Sequence, residues 1–299
     1  MRAWLQILVT AAKNWNTDNV FKHSAAVSFY TLFSLAPVTI IAVTIAGAVF
    51  GRDAATQQFN TQIGQLMGKA SAEVIQSAIK ASESHGESWL ARGTGIFLLI
   101  IGATTVFGQL QESLNAIWSV KTKPTRSGWL VLVIHRLASF AMVVTVGFLL
   151  MVSLIVTTAL TSLTSRFQTG ALTHTLDFLV ALVVITLLFA LLFKFLPDVE
   201  LRWRDVWLGA FVTSLLFSGG RFLIALYLGH STVASIYGAA GSLVALLIWV
   251  YYSCAIMFYG VEFTKAYRMQ RKVRLVPKQT AVVVREEVVE KPIRAQPRT

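Results

Sequence analysis

The chain has 299 residues, of which 55% are hydrophobic and only 13% are charged. A soluble domain of this length rarely carries so few charges, so the composition indicates a polytopic membrane protein. The formal net charge of +12 would suit a nucleic-acid-binding surface, but its position relative to the apolar segments decides its meaning. Cys254 is the only cysteine, which excludes an intrachain disulfide and a cysteine metal cluster within one chain.

The hydropathy pattern predicts an all-α membrane protein with six transmembrane helices in a domain of residues 24–262. The predicted spans cover residues 24–50, 93–118, 137–163, 176–196, 206–228 and 238–261. Residues 1–23 carry apolar side chains at helical spacing, which predicts an amphipathic interfacial helix; a soluble helix packed on the bundle fits the same spacing. Residues 52–92 predict an extracytoplasmic helical hairpin or cap, and residues 263–299 a basic, mostly disordered tail.

Lys and Arg residues are unequally divided between the two sides of the predicted spans. The links and termini on one side carry 20 of them, and those on the other side carry 5. Because these residues accumulate in cytoplasmic segments, the asymmetry predicts a multi-pass protein with both termini in the cytoplasm. The basic residues are either an orientation signal alone or also a surface for anionic lipid headgroups. In neither case does the net charge require a nucleic-acid partner.

The fifth predicted span carries one full cation, Arg221, directly after Gly219 and Gly220. A guanidinium is strongly disfavoured in hydrocarbon, so Arg221 is a candidate cavity or substrate-binding residue; snorkelling to the interface is the other interpretation. From the helical rise, Arg221 lies about 22 Å into a core of roughly 30 Å, where Asp177 is a better-placed partner than Glu112. The two glycines are candidate hinge residues.

Polar side chains recur in the second half of the second predicted span. Gln109, Glu112 and Asn115 follow at three-residue steps, so they share one helical face. That face is a candidate lining of a polar cavity, and a helix emerging into water is the alternative. Glu262, after the sixth span, is a further candidate cavity residue, and Pro37 is a candidate kink in the first span.

Motifs of known catalytic chemistry are absent from the sequence. It contains no phosphate-binding GxxxxGK[ST], no HExxH and no GxSxG, and its five histidines are scattered. We therefore predict no catalytic residue, no metal site, no cofactor and no enzymatic activity. Asp198, Glu200 and Asp205 lie beside Arg202 and Arg204, which predicts a salt-bridged loop rather than a metal site.

Four stretches of the sequence carry a family resemblance: SAAVSFYTLFSLAP, FGQLQESLNAIW, FLPD and YGAAGSLVALLIWVYYSCAIMFYGVEF. In this order they resemble the YihY/BrkB family of bacterial inner-membrane proteins, over about residues 15–268. The resemblance implies a six-helix inner-membrane protein with cytoplasmic termini. Members have been labelled ribonuclease BN or virulence factor, and some are linked to export of envelope lipids. The resemblance supplies no catalytic residue for any position of this sequence.

Two functional hypotheses of different class follow. The first is a transporter or translocator of an envelope lipid or other anionic or amphiphilic molecule, through a polar cavity in the helix bundle. The alternative is a non-transporting, virulence-associated envelope scaffold whose basic face recruits partners or lipids. A ribonuclease is not expected, because the chain lacks the histidine-rich motif of metal-dependent nucleases. The pattern specifies no oligomeric state.

Overall fold

The computed structural model describes residues 2–51, 56–57, 77, 89–123, 170–230 and 241–284. Within these residues the chain is mostly helical, as predicted, and the elements with defined bounds are six helices and two short strands. They are α1 (Arg2–Thr17), α2 (Val20–Phe50), α3 (Trp89–Ile117), β1 (Val120–Thr122), α4 (Gly170–Phe195), α5 (Trp203–His230), α6 (Gly241–Gln270) and β2 (Ala281–Val283). The predicted third span, residues 137–163, and most of the predicted insert, 52–92, lie outside the described residues.

Three helices are long and apolar enough to cross a membrane, among the residues that could be searched. The qualifying segments are Phe178–Phe195, Trp203–Ile224 and Leu243–Gln270, which overlap the fourth, fifth and sixth predicted spans. Large apolar side chains stay exposed along them, with Val183 at 63% and Phe222 at 71% of their full accessibility. Extended apolar surface of this kind is unfavourable in water and favourable against lipid tails, which agrees with membrane insertion.

Helix α6 is the centre of the described bundle, because it packs against α1, α2 and α5. Its side chains Leu246, Phe258 and Phe263 are almost completely buried. The remaining large contacts are between α2 and α3 and between α4 and α5. The end of the bundle that carries β1, β2 and the α4–α5 link is called the sheet end below.

Small residues allow α5 and α6 to approach closely. Gly209 lies against Thr264, and Gly260 lies against Thr213; a Cβ added at either glycine would overlap the facing threonine hydroxyl. Each threonine hydroxyl donates a hydrogen bond within its own helix, Thr213 to the Gly209 carbonyl (2.7 Å) and Thr264 to the Gly260 carbonyl (2.8 Å). The two helices thus present the same Gly-x-x-x-Thr pattern in opposite directions, a small-residue contact typical of membrane helix pairs.

Replacing Gly260 with alanine is expected to lower the free energy of unfolding by about 1–3 kcal/mol, the usual cost of overpacking. The added Cβ would lie 2.9 Å from the Cβ of Thr213, an atom that cannot rotate away. The matched control is Gly219→Ala, where the new Cβ meets nothing within 4 Å. Thermal unfolding in detergent measures both variants, and equal stability of the two would contradict this packing.

Helix α1 is shorter than the predicted N-terminal helix of residues 1–23. It ends at Thr17, Asn19 takes a left-handed conformation with φ 52°, and α2 begins at Val20. Among residues other than glycine, asparagine is one of those that adopt this conformation most readily. Ile7 and Ala11 are buried in a cluster with Phe263 and Ala266 of α6, whereas Trp4, Leu5, Leu8 and Val9 stay exposed. The helix therefore packs on the bundle and also presents apolar side chains outward.

The C-terminal segment is folded where disorder was expected. Helix α6 continues to Gln270, Pro277 forms an isolated bridge with Val199, and β2 pairs antiparallel with β1. The prediction of a mostly disordered tail is thus wrong as far as residue 284, and residues 285–299 lie outside the described part. Composition could not reveal the reason, which is that two links distant in sequence supply backbone partners for this segment.

Candidate functional site

A polar cleft lies beside α2 and α3 at the sheet end of the bundle, with a volume of about 640 Å³. Helices α2 and α3 and strand β1 contribute side chains of three chemical kinds. In the described lining, the ionisable groups are those of His23, Glu112 and Lys121. The hydroxyl groups belong to Tyr30, Thr104, Thr105 and Thr122, and the amides belong to Gln109, Gln111 and Asn115. A cavity with this many hydrogen-bonding groups is suited to a polar ligand or headgroup rather than to an acyl chain alone.

Three residues singled out by their spacing line this cleft together. The side-chain nitrogen of Gln109 lies 3.5 Å from the Ser113 hydroxyl oxygen. Glu112 is exposed, and Asn115 is buried. They follow one face of α3, since three-residue steps return to nearly the same side of a helix. Glu112 is therefore available to a ligand, whereas Asn115 is engaged in the protein.

Asp198 is the centre of a buried hydrogen-bond network behind the cleft. Asn115 Nδ2 donates to Asp198 Oδ2 at 2.8 Å, and the backbone N–H of Asp198 donates to Asn115 Oδ1 at 2.8 Å. Gln111 Nε2 (3.3 Å) and Thr122 Oγ1 (3.4 Å) donate to the same carboxylate. A buried carboxylate is stable only when its oxygens are satisfied, and here amide and hydroxyl groups satisfy them. The network joins α3 and β1 to the α4–α5 link.

The prediction of a salt-bridged loop, in which the carboxylates of this link pair with Arg202 and Arg204, is therefore wrong. Arg202 and Arg204 are exposed, Asp198 pairs with amides, and Asp205 lies 3.9 Å from Arg268 on α6. Glu200 is exposed, and its backbone N–H donates to the Val276 carbonyl. Neighbours in sequence suggested the ion pairs, but the turn into α5 directs the buried carboxylates away from the adjacent arginines.

Arg268 connects four parts of the sheet end. Its guanidinium donates to the carbonyls of Glu200 (3.1 Å) and Arg274 (3.1 Å), lies 3.9 Å from Asp205, and stacks 5.9 Å from the centre of the Trp118 ring. A planar guanidinium suits this role because it donates in several directions at once. Arg268 was assigned from sequence to the disordered basic tail, so its structural role was missed.

Lys265 makes an equivalent connection one turn earlier on α6. Its ammonium donates to Asp18 (2.6 Å) and to the Ile117 carbonyl at the end of α3 (2.7 Å). A cation at a helix C-terminus is favoured by the helix dipole. Glu262 Oε2 lies 3.7 Å from this ammonium, and neither Glu262 oxygen accepts a hydrogen bond from a described residue. Glu262 belongs to this buried cluster and is not among the described lining of the cleft.

Lys278 ties the C-terminal segment to the end of α4. Its backbone N–H donates to the Asp198 carbonyl (3.0 Å), and its ammonium donates to the Phe195 carbonyl (3.1 Å). Burial lowers the pKa of Lys278, and the neighbouring Asp198 carboxylate opposes that shift. The segment is thereby linked through the backbone carbonyl of Asp198 to the same residue whose carboxylate accepts from Asn115.

The structure does not bring Arg221 into the polar cleft. Arg221 is half-buried on α5 and makes no hydrogen bond or ion pair with any residue that the structure describes. It lines neither the cleft nor the apolar groove discussed below. The side chains of its predicted partner Asp177 and of the candidate kink Pro37 lie outside the described residues, although the α2 backbone is helical through Pro37.

The two candidate hinge glycines differ in their surroundings. A Cβ at Gly220 would lie 2.6 Å from Ile256 Cδ1 and 2.8 Å from the Tyr252 hydroxyl, so Gly220 allows α5 to approach α6 closely. A Cβ at Gly219 would meet nothing within 4 Å. Helix α5 runs unbroken through both residues. In this structure Gly220 is a packing residue.

Helices α4, α5 and α6, which are long and apolar enough to cross a membrane, are typical of an α-helical integral membrane protein. Among the residues searched, no group of His, Cys, Asp and Glu could hold a metal ion. The sequence model of the family described as Virulence factor BrkB matches residues 11–283, and the chain belongs to that family.

Curated relatives carry only general names. A UPF0761 membrane protein of Alteromonas mediterranea is 26% identical over 257 residues, covering 84% of each chain. UPF0761 membrane protein YihY of Salmonella typhimurium is 29% identical and covers 70% of each chain. A relative from Alkalilimnicola ehrlichii is 25% identical over 88% of this chain, which spans only 59% of that relative's length. No solved structure matches the chain.

Proposed function

We propose that the protein is a translocator of an amphiphilic envelope molecule, whose headgroup enters the polar cleft beside α2 and α3. The observation that carries this proposal is the cleft itself, a volume of about 640 Å³ whose lining includes ionisable, hydroxyl and amide side chains, in a bundle whose outer faces are apolar. That volume falls in the range of about 300–1,000 Å³ usual for small-molecule sites. The apolar part of the substrate would remain against the exposed helix faces.

The charges of the cleft favour a headgroup that carries both signs, or a neutral polar one, over a simple anion. Glu112 offers a carboxylate, and Lys121 and His23 offer cationic or neutral donors around the same space. A purely anionic ligand would meet the exposed Glu112 and the buried Asp198 behind it. We therefore propose the cleft, and not Arg221, as the place where the headgroup binds.

The location that we propose is the bacterial inner membrane with both termini in the cytoplasm. The unequal distribution of Lys and Arg supports this orientation. It sets the sheet end, with β1, the α4–α5 link and the C-terminal segment, on the cytoplasmic side. The cleft would then open near the cytoplasmic leaflet, where newly made envelope lipids are available.

Flux measurements on reconstituted liposomes test the translocator. The full chain is incorporated with NBD-labelled phosphatidylethanolamine, and transfer between leaflets is read from dithionite quenching. Glu112→Gln is expected to reduce the transfer rate about tenfold or more, the effect of one lost charged hydrogen bond. The matched control is Glu200→Gln, which removes an exposed carboxylate of the same end outside the cleft and is expected to transfer at the wild-type rate.

Transfer no faster than in protein-free liposomes would overturn the translocator and favour the scaffold.

A specific observation keeps the scaffold as the second candidate. Among side chains that the structure describes, nine Lys and Arg are exposed but only two acidic residues, because most carboxylates are buried or partly buried. The exposed cations are Lys13, Lys22, Lys121, Lys123, Arg202, Arg204, Arg271, Lys272 and Arg274. Such a surface can bind anionic lipids or an acidic partner without any transport.

A further inference from the structure

A separate groove of about 490 Å³ lies between α4 and α5, away from the polar cleft. Most of its wall is apolar and accessible: Val183 is 63% exposed, Trp207 43% and Phe211 45%. Both helices contain segments of membrane-crossing length, so this wall faces the position of lipid tails. An apolar groove in that position is filled by hydrocarbon rather than by water.

Arg204 is the one charged residue in the described lining of this groove. It lies in the first turn of α5, is exposed, and makes no hydrogen bond or ion pair with any described residue. Its guanidinium is therefore available to a ligand at the sheet end of the groove. Trp207, one turn further along α5, is of the residue type that is enriched where the lipid headgroups begin.

Thr186, the other polar residue in the described lining, is already engaged within the protein. Its hydroxyl donates to the Leu182 carbonyl (2.7 Å) and lies 2.7 Å from the Ser214 hydroxyl. The groove thus offers one cation at its end and hydrocarbon-like surface along its length. From Arg204 to Phe211 the helix rises about 10 Å, enough for the part of an acyl chain next to its headgroup.

We propose that this groove binds one anionic phospholipid, with its phosphate on Arg204 and an acyl chain along Trp207, Phe211 and Val183. A guanidinium binds phosphate oxygens through two parallel hydrogen bonds, which a zwitterionic lipid satisfies less well because its own cation competes. The lipid is a bound ligand of the protein and not its cargo. The proposal does not rest on the translocator function, since the groove and the cleft share no described lining residue.

Native mass spectrometry of the delipidated full chain in detergent tests this site. Titration with phosphatidylglycerol and, separately, phosphatidylcholine gives the affinity for each lipid. Wild type is expected to bind one phosphatidylglycerol about tenfold more tightly than phosphatidylcholine. Arg204→Gln is expected to lose this preference. Arg202→Gln removes the same charge two residues earlier, at an exposed position outside the described lining, and is expected to keep it.

A second pair of variants tests the acyl-chain position. Val183→Phe adds bulk inside the groove at a largely exposed site, so it is expected to weaken both lipids about tenfold without unfolding the protein. Leu179→Phe is the control on the same helix, at a site that is 49% exposed and outside the described lining. Equal loss of the preference for phosphatidylglycerol in Arg204→Gln and Arg202→Gln would show nonspecific attraction to the basic face. Unchanged binding in Val183→Phe would show that the chain lies elsewhere, and either result overturns the proposal.

Discussion

Replacing Arg268 with alanine is expected to lower the free energy of unfolding by about 3–5 kcal/mol, the usual cost of removing one partner of a buried ion pair. The buried Asp205 carboxylate would lose its only described cation within 4 Å. The carbonyls of Glu200 and Arg274 would lose their hydrogen bonds from the guanidinium, and the ring of Trp118 would lose its stacked cation. Unfolding in detergent, followed by heat or by a denaturing detergent, measures the change.

The matched control is Arg271→Ala, three residues later on the chain. Arg271 is exposed, and its guanidinium contacts only the Tyr267 ring and hydroxyl among described residues. The same charge is removed, but the loss is expected to stay within about 0.5 kcal/mol, as for most surface substitutions. If both variants unfold alike, Arg268 does not connect the sheet end in the way that its contacts indicate.

Replacing Asp198 with alanine is expected to cost about 3–5 kcal/mol, from the loss of charge-assisted hydrogen bonds in a buried place. The donors of Asn115, Gln111 and Thr122 would all lose their acceptor. The Asn115 side chain is buried, so water could not easily replace the lost partner. Unfolding experiments in detergent report the change, and protease sensitivity of residues 271–284 shows whether the C-terminal segment separates from the link.

Asp198→Asn distinguishes the network from mere packing. The amide keeps the shape of the carboxylate. Its oxygen can take the Oδ2 position that faces Asn115 and Thr122, and Gln111 can turn its own amide so that its oxygen accepts from the new NH2 group. It is therefore expected to cost less than half as much as Asp198→Ala. An asparagine variant as unstable as the alanine variant would mean that the negative charge itself, rather than the hydrogen-bond pattern, holds this junction.

These connections distinguish the residues that hold the sheet end together from a cleft residue that takes no part in holding it. Asn115 lines the cleft but also holds Asp198, so a variant of Asn115 changes stability and the cleft together. Glu112 lines the cleft, is exposed and takes no part in that network. Its substitution therefore tests the proposed function of the cleft separately from the stability of the fold.

The class of protein was predictable from the sequence, because hydrophobicity and helical periodicity are local properties. A run such as residues 178–195 can satisfy its backbone only as a helix in a lipid environment, whatever its neighbours are. The three-residue steps that place Gln109, Glu112 and Asn115 on one face follow from the geometry of a single helix. In the same way, the excess of Lys and Arg on one side of the predicted spans can be counted without any tertiary information.

The tertiary structure alone decided which polar groups pair. Asp198 and Asn115 are 83 residues apart, and Lys265 and Asp18 are 247 apart, so no local pattern could match them. Sequence proximity instead suggested ion pairs within the α4–α5 link, and composition suggested a disordered tail. The first expectation failed, and the second failed as far as residue 284, for one physical reason. A buried charge or backbone group takes whichever partner the packing of α3, α4 and α6 brings within hydrogen-bonding distance, and that distance is a property of the whole bundle.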